Sequence, residues 1–332
     1  MPEILYGLTQ CGSFGPSRVS THMAERTTRG ISRRDFFKKS AATGVGIASA
    51  SAIPSSGVAS EVPPPERNSR KVLIMSDMEG VDGIFNLAEQ CNPLKSPRWQ
   101  ESQALLTGEV NAAVDGLFAG GATEVIVWDG HDGGESISAA DIHPKARLLI
   151  GSPVPPIREF DSTFSAVVFV GQHAMAGAKD SVLPHSFFFN IQNLWVNGRL
   201  VGEIGIRAMV AGEMGVPAIM LAGDTAACIE LRELISSAEC AEVKSGVSST
   251  AGYTLAHPAA CELIREKAEL AMQRLAEFKP YRVEGPVEVK VVFATSAAPG
   301  PGPRRSGRRV DERTVVYTGN NIIDAWFKFG RL

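Results

Sequence analysis

The sequence contains few cysteines and no large excess of charge of either sign. Five cysteines occur in 332 residues, and none of them forms a C-x-x-C pair or shows zinc-finger spacing. The formal net charge is −3 and the isoelectric point is about 6.1, so the charge balance gives no indication of nucleic acid or an acidic membrane as a partner. A basic cluster at 304–309 lies among proline and glycine without aromatic residues, which is typical of a solvated loop.

Several motifs of common catalytic sites are also absent. The sequence has no G-x-x-x-x-G-K-[ST] phosphate loop, no G-x-G-x-x-G after a strand, no H-E-x-x-H and no G-x-S-x-G nucleophile elbow. The nucleotide-binding proteins and hydrolases that these motifs identify are therefore disfavoured. With 44% hydrophobic and 21% charged residues, the composition is that of an ordinary globular protein.

The first 60 residues have the features of an export signal. Residues 32–39 (Ser-Arg-Arg-Asp-Phe-Phe-Lys-Lys) contain a twin-arginine pair, and a weakly apolar run of small residues follows at 41–59. This run is too short and too weakly apolar to predict a membrane anchor. We therefore predict a twin-arginine signal peptide over 1–60, recognised by the Tat export machinery, and a mature protein in the periplasm or outside the cell.

The boundaries of the folded region follow from this interpretation. Residues 61–70 are polar and contain proline, which indicates a linker, and the folded region that carries the candidate site is predicted over 71–332. Export signals normally begin close to the start of a protein, yet this one begins at Ser32. Met23 is therefore an alternative start, in which case 1–22 would be a gene-model artefact.

Two continuous apolar runs, Val72–Met75 and Val125–Trp128, predict strands that are buried on both faces. An amphipathic pattern over 100–119, ended by Gly120-Gly121, predicts a helix between them, so these elements form a β-α-β unit with parallel strands. Further strands are predicted at 147–150, 166–170 and 216–221, and further helices at 203–214, 224–236 and 257–277.

The alternation of buried strands and helices indicates an α/β fold, with a mainly parallel central sheet flanked by helices. Residues 287–294 alternate between apolar and polar positions, which predicts a strand with one solvated face. Asn197-Gly198 lies between apolar residues and predicts a hairpin. These features indicate a smaller α+β portion towards the C-terminus.

Acidic and histidine residues follow three of the predicted strands. Asp77 and Glu79 follow the first strand, His131 follows the second, and His173 follows the strand at 166–170. Ligands of open α/β sheets gather beyond the carboxyl ends of parallel strands, so these side chains are expected to meet at one edge. Glu203 follows Gly202 at the start of a predicted helix and is the fifth candidate.

Each of these residues has an ordinary structural interpretation when it is considered alone, such as a turn acid, a helix-end charge or a core histidine. The charge count favours a metal site. Asp77 and Glu79 would repel each other if they were buried together without cations. Three carboxylates and a bridging hydroxide would balance two divalent ions, and carboxylates with imidazoles suit Zn²⁺ or another divalent transition metal.

Other polar residues near these motifs have less certain roles. His185, in Leu-Pro-His-Ser ahead of three phenylalanines, could be a metal ligand, a general acid or base, or structural. Asp129 could fix a histidine tautomer or cap its turn, and Asp224 is predicted to cap the next helix. His143 and His257 each precede a proline, which indicates structural roles in turns.

Five short motifs, in this order, resemble the DppA-type D-aminopeptidase family of zinc metallopeptidases. They are Ser-Asp-Met-Glu-Gly at 76–80, Trp-Asp-Gly-His at 128–131, Gly-Gln-His-Ala at 171–174, Pro-His-Ser at 184–186 and Val-Gly-Glu-Ile-Gly at 201–205. The resemblance covers about residues 71–280. It implies that the zinc ligands are Asp77, Glu79, His131, His173 and Glu203.

The resemblance also implies the catalytic chemistry and the assembly. His185 matches the catalytic histidine, and the implied activity is removal of an amino-terminal D-residue, notably D-alanine, from short peptides. A ring-based homodecamer is implied as well. The twin-arginine signal departs from the family pattern, and so do two features of the folded region. The His173–His185 segment is one residue longer than usual, and residues 296–313 match poorly.

The resulting hypothesis is a two-zinc aminopeptidase in which Asp77 bridges the metals and water is activated by them. His185 would relay a proton to the leaving amine or attack directly, and Asp129 would support a histidine ligand. Two alternatives stay open at this point. One is a metal-dependent hydrolase of another amide or of a phosphoester, and the other is an exported solute-binding protein without catalysis.

Overall fold

The computed structural model describes residues 69–151, 161–295 and 307–329. The predicted signal peptide, the linker up to residue 68 and most of the Pro/Arg-rich segment at 296–313 lie outside the described residues. The described residues fold around two sheets. None of the helices in the described ranges is both long and apolar enough to cross a membrane.

The main sheet has seven strands in the order β3-β2-β1-β4-β7-β8-β9. All neighbouring pairs are parallel except β8 and β9, which are antiparallel. The strands are β1 (Lys71–Ser76), β2 (Glu124–Asp129), β3 (Ala146–Leu149), β4 (Ala166–Gln172), β7 (Ala218–Asp224), β8 (Glu239–Ser248) and β9 (Ala251–Thr254). The mainly parallel sheet predicted from the sequence is therefore confirmed.

The register places the candidate residues side by side. Strand β1 lies between β2 and β4, with Ser76 opposite Asp129 on one side and opposite Val170 on the other. The three strands that precede Asp77, His131 and His173 are thus neighbours, and all of them point the same way. Their carboxyl ends form one continuous edge, as the apolar strand pattern predicted.

Helices cover both faces of this sheet. Helices α2 (Trp99–Ala119) and α5 (His257–Gln273) pack with one face, where Leu106, Val110 and Ile264 are fully buried. Helices α3 (Glu203–Glu213) and α4 (Thr225–Leu234) pack with the other face through residues such as Ile204 and Leu231. A short helix, α1 (Leu87–Gln90), lies in the segment between β1 and α2.

A second, antiparallel sheet forms the smaller portion of the fold, in the order β11-β12-β10-β5-β6. Its apolar face packs against α6 around the fully buried Trp326. Asn197 and Gly198 join β5 to β6 with φ of 47° and 80°, the turn that Asn-Gly predicts. The elements are β5 (Ile191–Val196), β6 (Arg199–Leu200), β10 (Val287–Phe293), β11 (Arg308–Arg309), β12 (Thr314–Gly319) and α6 (Ile322–Phe329).

Candidate metal centre

The five predicted metal ligands and His185 meet at the carboxyl edge of the main sheet. All six residues are buried. Their potential ligand atoms form three groups, within each of which all atoms lie within 4.8 Å of one another. The groups are Asp77–Glu79–His131, Asp77–His173–Glu203 and Glu79–His173–His185. Because Asp77, Glu79 and His173 each belong to two groups, the arrangement is one shared cluster.

Close packing of two strand ends positions the carboxylates. Asp77 N donates to Val170 O at 2.9 Å, and Gly80 N donates to Gly171 O at 2.8 Å. A Cβ atom at Gly80 would lie 2.0 Å from Gln172 O, so only glycine permits this approach. The turn that carries Asp77 and Glu79 is therefore fastened directly to the strand end that carries His173.

His131 presents its Nδ1 atom to the carboxylates. Its Nε2 lies 2.8 Å from the main-chain oxygen of Cys91, and because a carbonyl only accepts, Nε2 carries a proton. Nδ1 lies 3.1 Å from Asp77 Oδ1 and 3.2 Å from Glu79 Oε2. An imidazole that donates one N–H to a carbonyl and directs the other nitrogen at carboxylates has the orientation typical of a metal ligand.

His173 and His185 are oriented in the same way but with the opposite ring nitrogen. His173 Nδ1 lies 3.0 Å from Ala174 O, which leaves Nε2 at 3.4 Å from Glu203 Oε1 and 3.7 Å from Asp77 Oδ2. His185 Nδ1 lies 2.9 Å from Leu183 O, which leaves its Nε2 unprotonated in the neutral ring. The two imidazoles stack with centroids 3.8 Å apart.

The charges at this edge favour a cation among the carboxylates. Burial alone would lower the pKa of His173, but the adjacent Glu203 carboxylate, together with the charge of Asp77, raises it to about 10. Burial likewise opposes the charged form of Asp77, yet His131, His173 and Arg207 together hold its pKa well below the usual range. Asp77 therefore stays ionised and stabilises positive charge, which a divalent ion can supply.

The hydrogen bonding of the cluster is consistent with a bound divalent ion. Glu79 Oε2 and His173 Nε2 are both buried and make no hydrogen bond with any residue that the structure describes, although each lies near oppositely charged neighbours. Buried polar atoms without hydrogen bonds are rare and call for an explanation such as a bound ion. Carboxylate and imidazole donors without thiolate match a catalytic zinc site.

Arg207 is part of the site and was not predicted. Its Nη2 lies 3.2 Å from Glu203 Oε2, and its Nη1 lies 3.6 Å from Asp77 Oδ2 and 3.0 Å from Gln172 Oε1. The guanidinium is buried and supplies a permanent positive charge beside two of the three carboxylates. It adds one charge to the balance drawn from the sequence, which counted only acids and metals.

Glu230 is a second unpredicted support. Its two carboxylate oxygens accept from Met175 N and Gly202 N, both at 2.9 Å, so it joins the segment after His173 to the start of α3. Burial raises the pKa of Glu230 to about 7. Neither Arg207 nor Glu230 belongs to a strand end, where four of the five metal ligands were predicted.

A cavity of about 330 Å³ opens onto the cluster. Asp77, Glu79, His131, His185 and Glu203 contribute to its wall. The remaining wall includes the three consecutive phenylalanines at 187–189, of which Phe189 stacks on His185 with centroids 4.2 Å apart. The cavity is large enough for a small ligand and combines charged and aromatic surfaces.

The remaining sequence predictions have mixed outcomes. Asp224 caps α4 by accepting from Ala227 N at 2.7 Å, as predicted. Asp129 accepts from the main-chain nitrogens of Ser136 and Ile137, so in the described part of the chain it caps its own turn. The hypothesis that it fixes a histidine tautomer is not supported by these contacts.

The two histidines assigned structural roles lie outside the cluster. His143 contacts Asp115 through Nε2 at 3.0 Å, and His257 contacts Asp82 through Nδ1 at 2.8 Å. The cysteines that the structure describes are all free, and Cys11 lies outside the described residues.

Comparison with known proteins identifies the family. A family model described as D-aminopeptidase matches residues 70–329. A D-aminopeptidase of Bacillus subtilis (strain 168) is 33% identical over 212 residues, which cover 63% of this chain and 76% of the relative.

A solved structure is similar as well. It is described as the Zn-dependent D-aminopeptidase DppA from Bacillus subtilis, a self-compartmentalizing protease. It superposes with a TM-score of 0.71 at 29% identity, covering 78% of this chain and 95% of that chain. The family match spans most of the chain and includes every residue of the cluster, and the chain therefore belongs to the D-aminopeptidase family.

Proposed function

We propose that this protein is an aminopeptidase that uses two zinc ions to remove the amino-terminal residue, a D-amino acid such as D-alanine, from short peptides. The observation that carries the proposal is the shared cluster, in which three groups of metal-binding atoms have Asp77, Glu79 and His173 in common. Two ions that share a carboxylate need such an overlap, whereas a single structural ion does not. The zinc-dependent relative supports the choice of metal.

The protein's own residues have distinct tasks in this proposal. Asp77 belongs to both groups that contain a second carboxylate, and its two oxygens face His131 and His173 respectively, so it would contribute to both sites. His131 with Glu79 would hold one ion, and His173 with Glu203 would hold the other. Bound zinc would supply Lewis acidity to the scissile carbonyl and lower the pKa of water.

His185 is placed to transfer a proton at the cavity wall. Its Nδ1–H is held by Leu183 O, so its Nε2 can accept a proton and then donate it to the leaving amine. Burial and the charge of His173 lower the pKa of His185, which favours the neutral, proton-accepting ring. The aromatic wall beside it would offer an apolar surface to the substrate side chain.

The test combines metal analysis with a paired substrate panel. The purified protein is analysed by mass spectrometry for bound metal and assayed with D-Ala-D-Ala, L-Ala-L-Ala and their p-nitroanilides before and after chelation. We expect two zinc ions per chain, release of amino-terminal D-alanine, and loss of activity on chelation with recovery on adding zinc. Activity that is unaffected by complete metal removal would overturn the proposal, and hydrolysis of L-peptides alone would overturn the stereochemical part.

We also propose a homo-oligomer and export through the Tat route. The description of the solved relative as self-compartmentalizing supports the first, and light scattering on the purified protein tests it, with a monomer as the contrary result. The twin-arginine pair supports the second. Replacing both arginines by lysine is expected to keep the protein in the cytoplasm, and export that continues unchanged would contradict the prediction.

A further inference from the structure

Lys244 is a buried cation that lies outside the proposed metal site. All of its hydrogen bonds go to the loop at 79–84, which is part of that site. It lies on β8 and is only 3% exposed. Its Nζ lies 2.6 Å from Glu79 O, 2.9 Å from Val81 O and 2.6 Å from Ile84 O. An ammonium has three N–H donors, so these three main-chain oxygens use its full capacity.

Ordinary ion pairing does not account for this arrangement. Asp224 and Glu109 are the acids whose charges act most on Lys244, yet neither forms an ion pair with it among the described residues. Asp224 instead accepts from Ala227 N and Val182 N, and Glu109 accepts from Asp82 N. Burying an ammonium is strongly unfavourable unless its donors are satisfied. Here they are satisfied only because the loop at 79–84 curves around the nitrogen, as a chain wraps around a bound metal ion.

The loop whose main-chain oxygens accept from Lys244 carries the proposed metal ligand Glu79. The Glu79 carbonyl accepts from Lys244, and the N–H of the same peptide unit, on Gly80, donates to Gly171 O. Both polar groups of that peptide are thus fixed, one by β8 and the other by the end of β4. Fixing the peptide plane fixes the direction in which the Glu79 side chain leaves the main chain.

We propose that Lys244 is a positioning residue for metal binding, and that its ammonium shapes the 79–84 loop so that the Glu79 carboxylate faces His131 and His173. This inference rests on the proposed two-metal function. It makes an asymmetric prediction, because Glu79 belongs to two of the three ligand groups but not to Asp77–His173–Glu203. Loss of Lys244 should therefore weaken one metal and spare the other.

The experiment compares K244M, which keeps an unbranched side chain but has no donors, with K267M as the matched control. Lys267 is a partly exposed lysine on α5 that pairs with Glu239 instead of the loop. Zinc affinity is measured by competition with a chelator in folded protein, and thermal stability is measured alongside. We expect K244M to bind one zinc at least tenfold more weakly and the other normally, and K267M to bind both like the wild type.

A double-mutant cycle with E79Q separates positioning from general destabilisation. If Lys244 acts through Glu79, K244M weakens metal binding in the wild type but has little further effect in E79Q. Equal weakening of both metals, or full additivity with E79Q, would overturn the proposal, as would wild-type affinity in K244M. If K244M does not fold, K244R, which keeps the charge but has a different donor geometry, is measured in the same cycle and is judged by the same outcomes.

Hydrogen exchange of the chelated protein keeps this test independent of the proposed function. K244M should accelerate amide exchange in peptides covering 77–86 and leave those covering β2 unchanged, whereas K267M should change neither. Unchanged exchange at 77–86 would overturn the loop-shaping role. If the wild type binds no zinc but K244M still accelerates exchange at 77–86, the metal function alone would be overturned.

Discussion

A matched pair of glycine substitutions tests whether the carboxylates are held by close strand packing. Gly171 and Gly177 have similar positive φ angles of 73° and 80°. They differ in their surroundings. A Cβ atom at Gly171 would lie 2.0 Å from Asp77 O and 2.8 Å from Val81 Cγ2, whereas a Cβ atom at Gly177 would have no heavy atom within 4 Å.

The magnitudes follow from this difference. Left-handed backbone costs an alanine about 1–2 kcal/mol, so G177A should lower the free energy of unfolding by that amount and leave the metal site intact. G171A carries the same backbone cost and adds a collision with main chain, for which overpacking adds about 1–3 kcal/mol. Ordinary contact begins at 3.4 Å, so the Asp77 carbonyl must move by more than about 1 Å.

Such a shift should also be visible in metal binding. Metal–ligand distances tolerate deviations of only about 0.2 Å, so G171A is expected to lose zinc as well as stability. Urea denaturation of the chelated proteins gives the free energies, and mass spectrometry of the untreated proteins gives the metal content. G171A with the stability of G177A and full zinc occupancy would refute the reasoning that this packing holds Asp77 in place.

Two further substitutions test the histidine and a buried acid. H185A is expected to retain both metals and to lower kcat by about 10²–10⁴-fold, because it removes only a proton-transfer group. Loss of one zinc from H185A would instead show His185 to be a ligand, as its group with Glu79 and His173 permits. Burial raises the pKa of Glu230 from 4.5 to about 7, so the unfolded chain ionises first and the folded state loses stability as pH rises between these values. Relative to E230Q, the chelated wild type should lose up to about 3 kcal/mol between pH 4.5 and 7, measured by urea denaturation at each pH, and a constant difference would contradict this.

The site was predictable from the sequence where it depends on strand order. Asp77, His131 and His173 each follow an apolar run, and parallel neighbouring strands bring such positions together without any further information. The predicted fold class rests on the same pattern. Two strands end later than their apolar runs predicted: β4 continues to Gln172, and β7 continues to Asp224.

The supports of the site were harder to predict, for different reasons. Arg207 lies one helical turn after Glu203, so an i, i+4 acid–base pair on a predicted helix could have identified it. Lys244 offered no such signal, because its partners are main-chain oxygens about 160 residues away. Its strand was also not predicted. Strand β12 and helix α6 are short apolar segments whose identity depends on packing around Trp326, which periodicity does not reveal.

Arg207 and Lys244, the two buried cations described above, stabilise this edge of the sheet in different ways. Three carboxylates within one small cluster repel each other, and Arg207 relieves that repulsion by contacting Asp77 and Glu203. Lys244 contacts no carboxylate of the cluster and instead satisfies the main chain of the loop that carries Glu79. One cation therefore offsets side-chain charge and the other fixes backbone geometry. Together they hold the cluster in place as part of the fold, so that a metal ion would bind to an arrangement whose shape the protein has already determined.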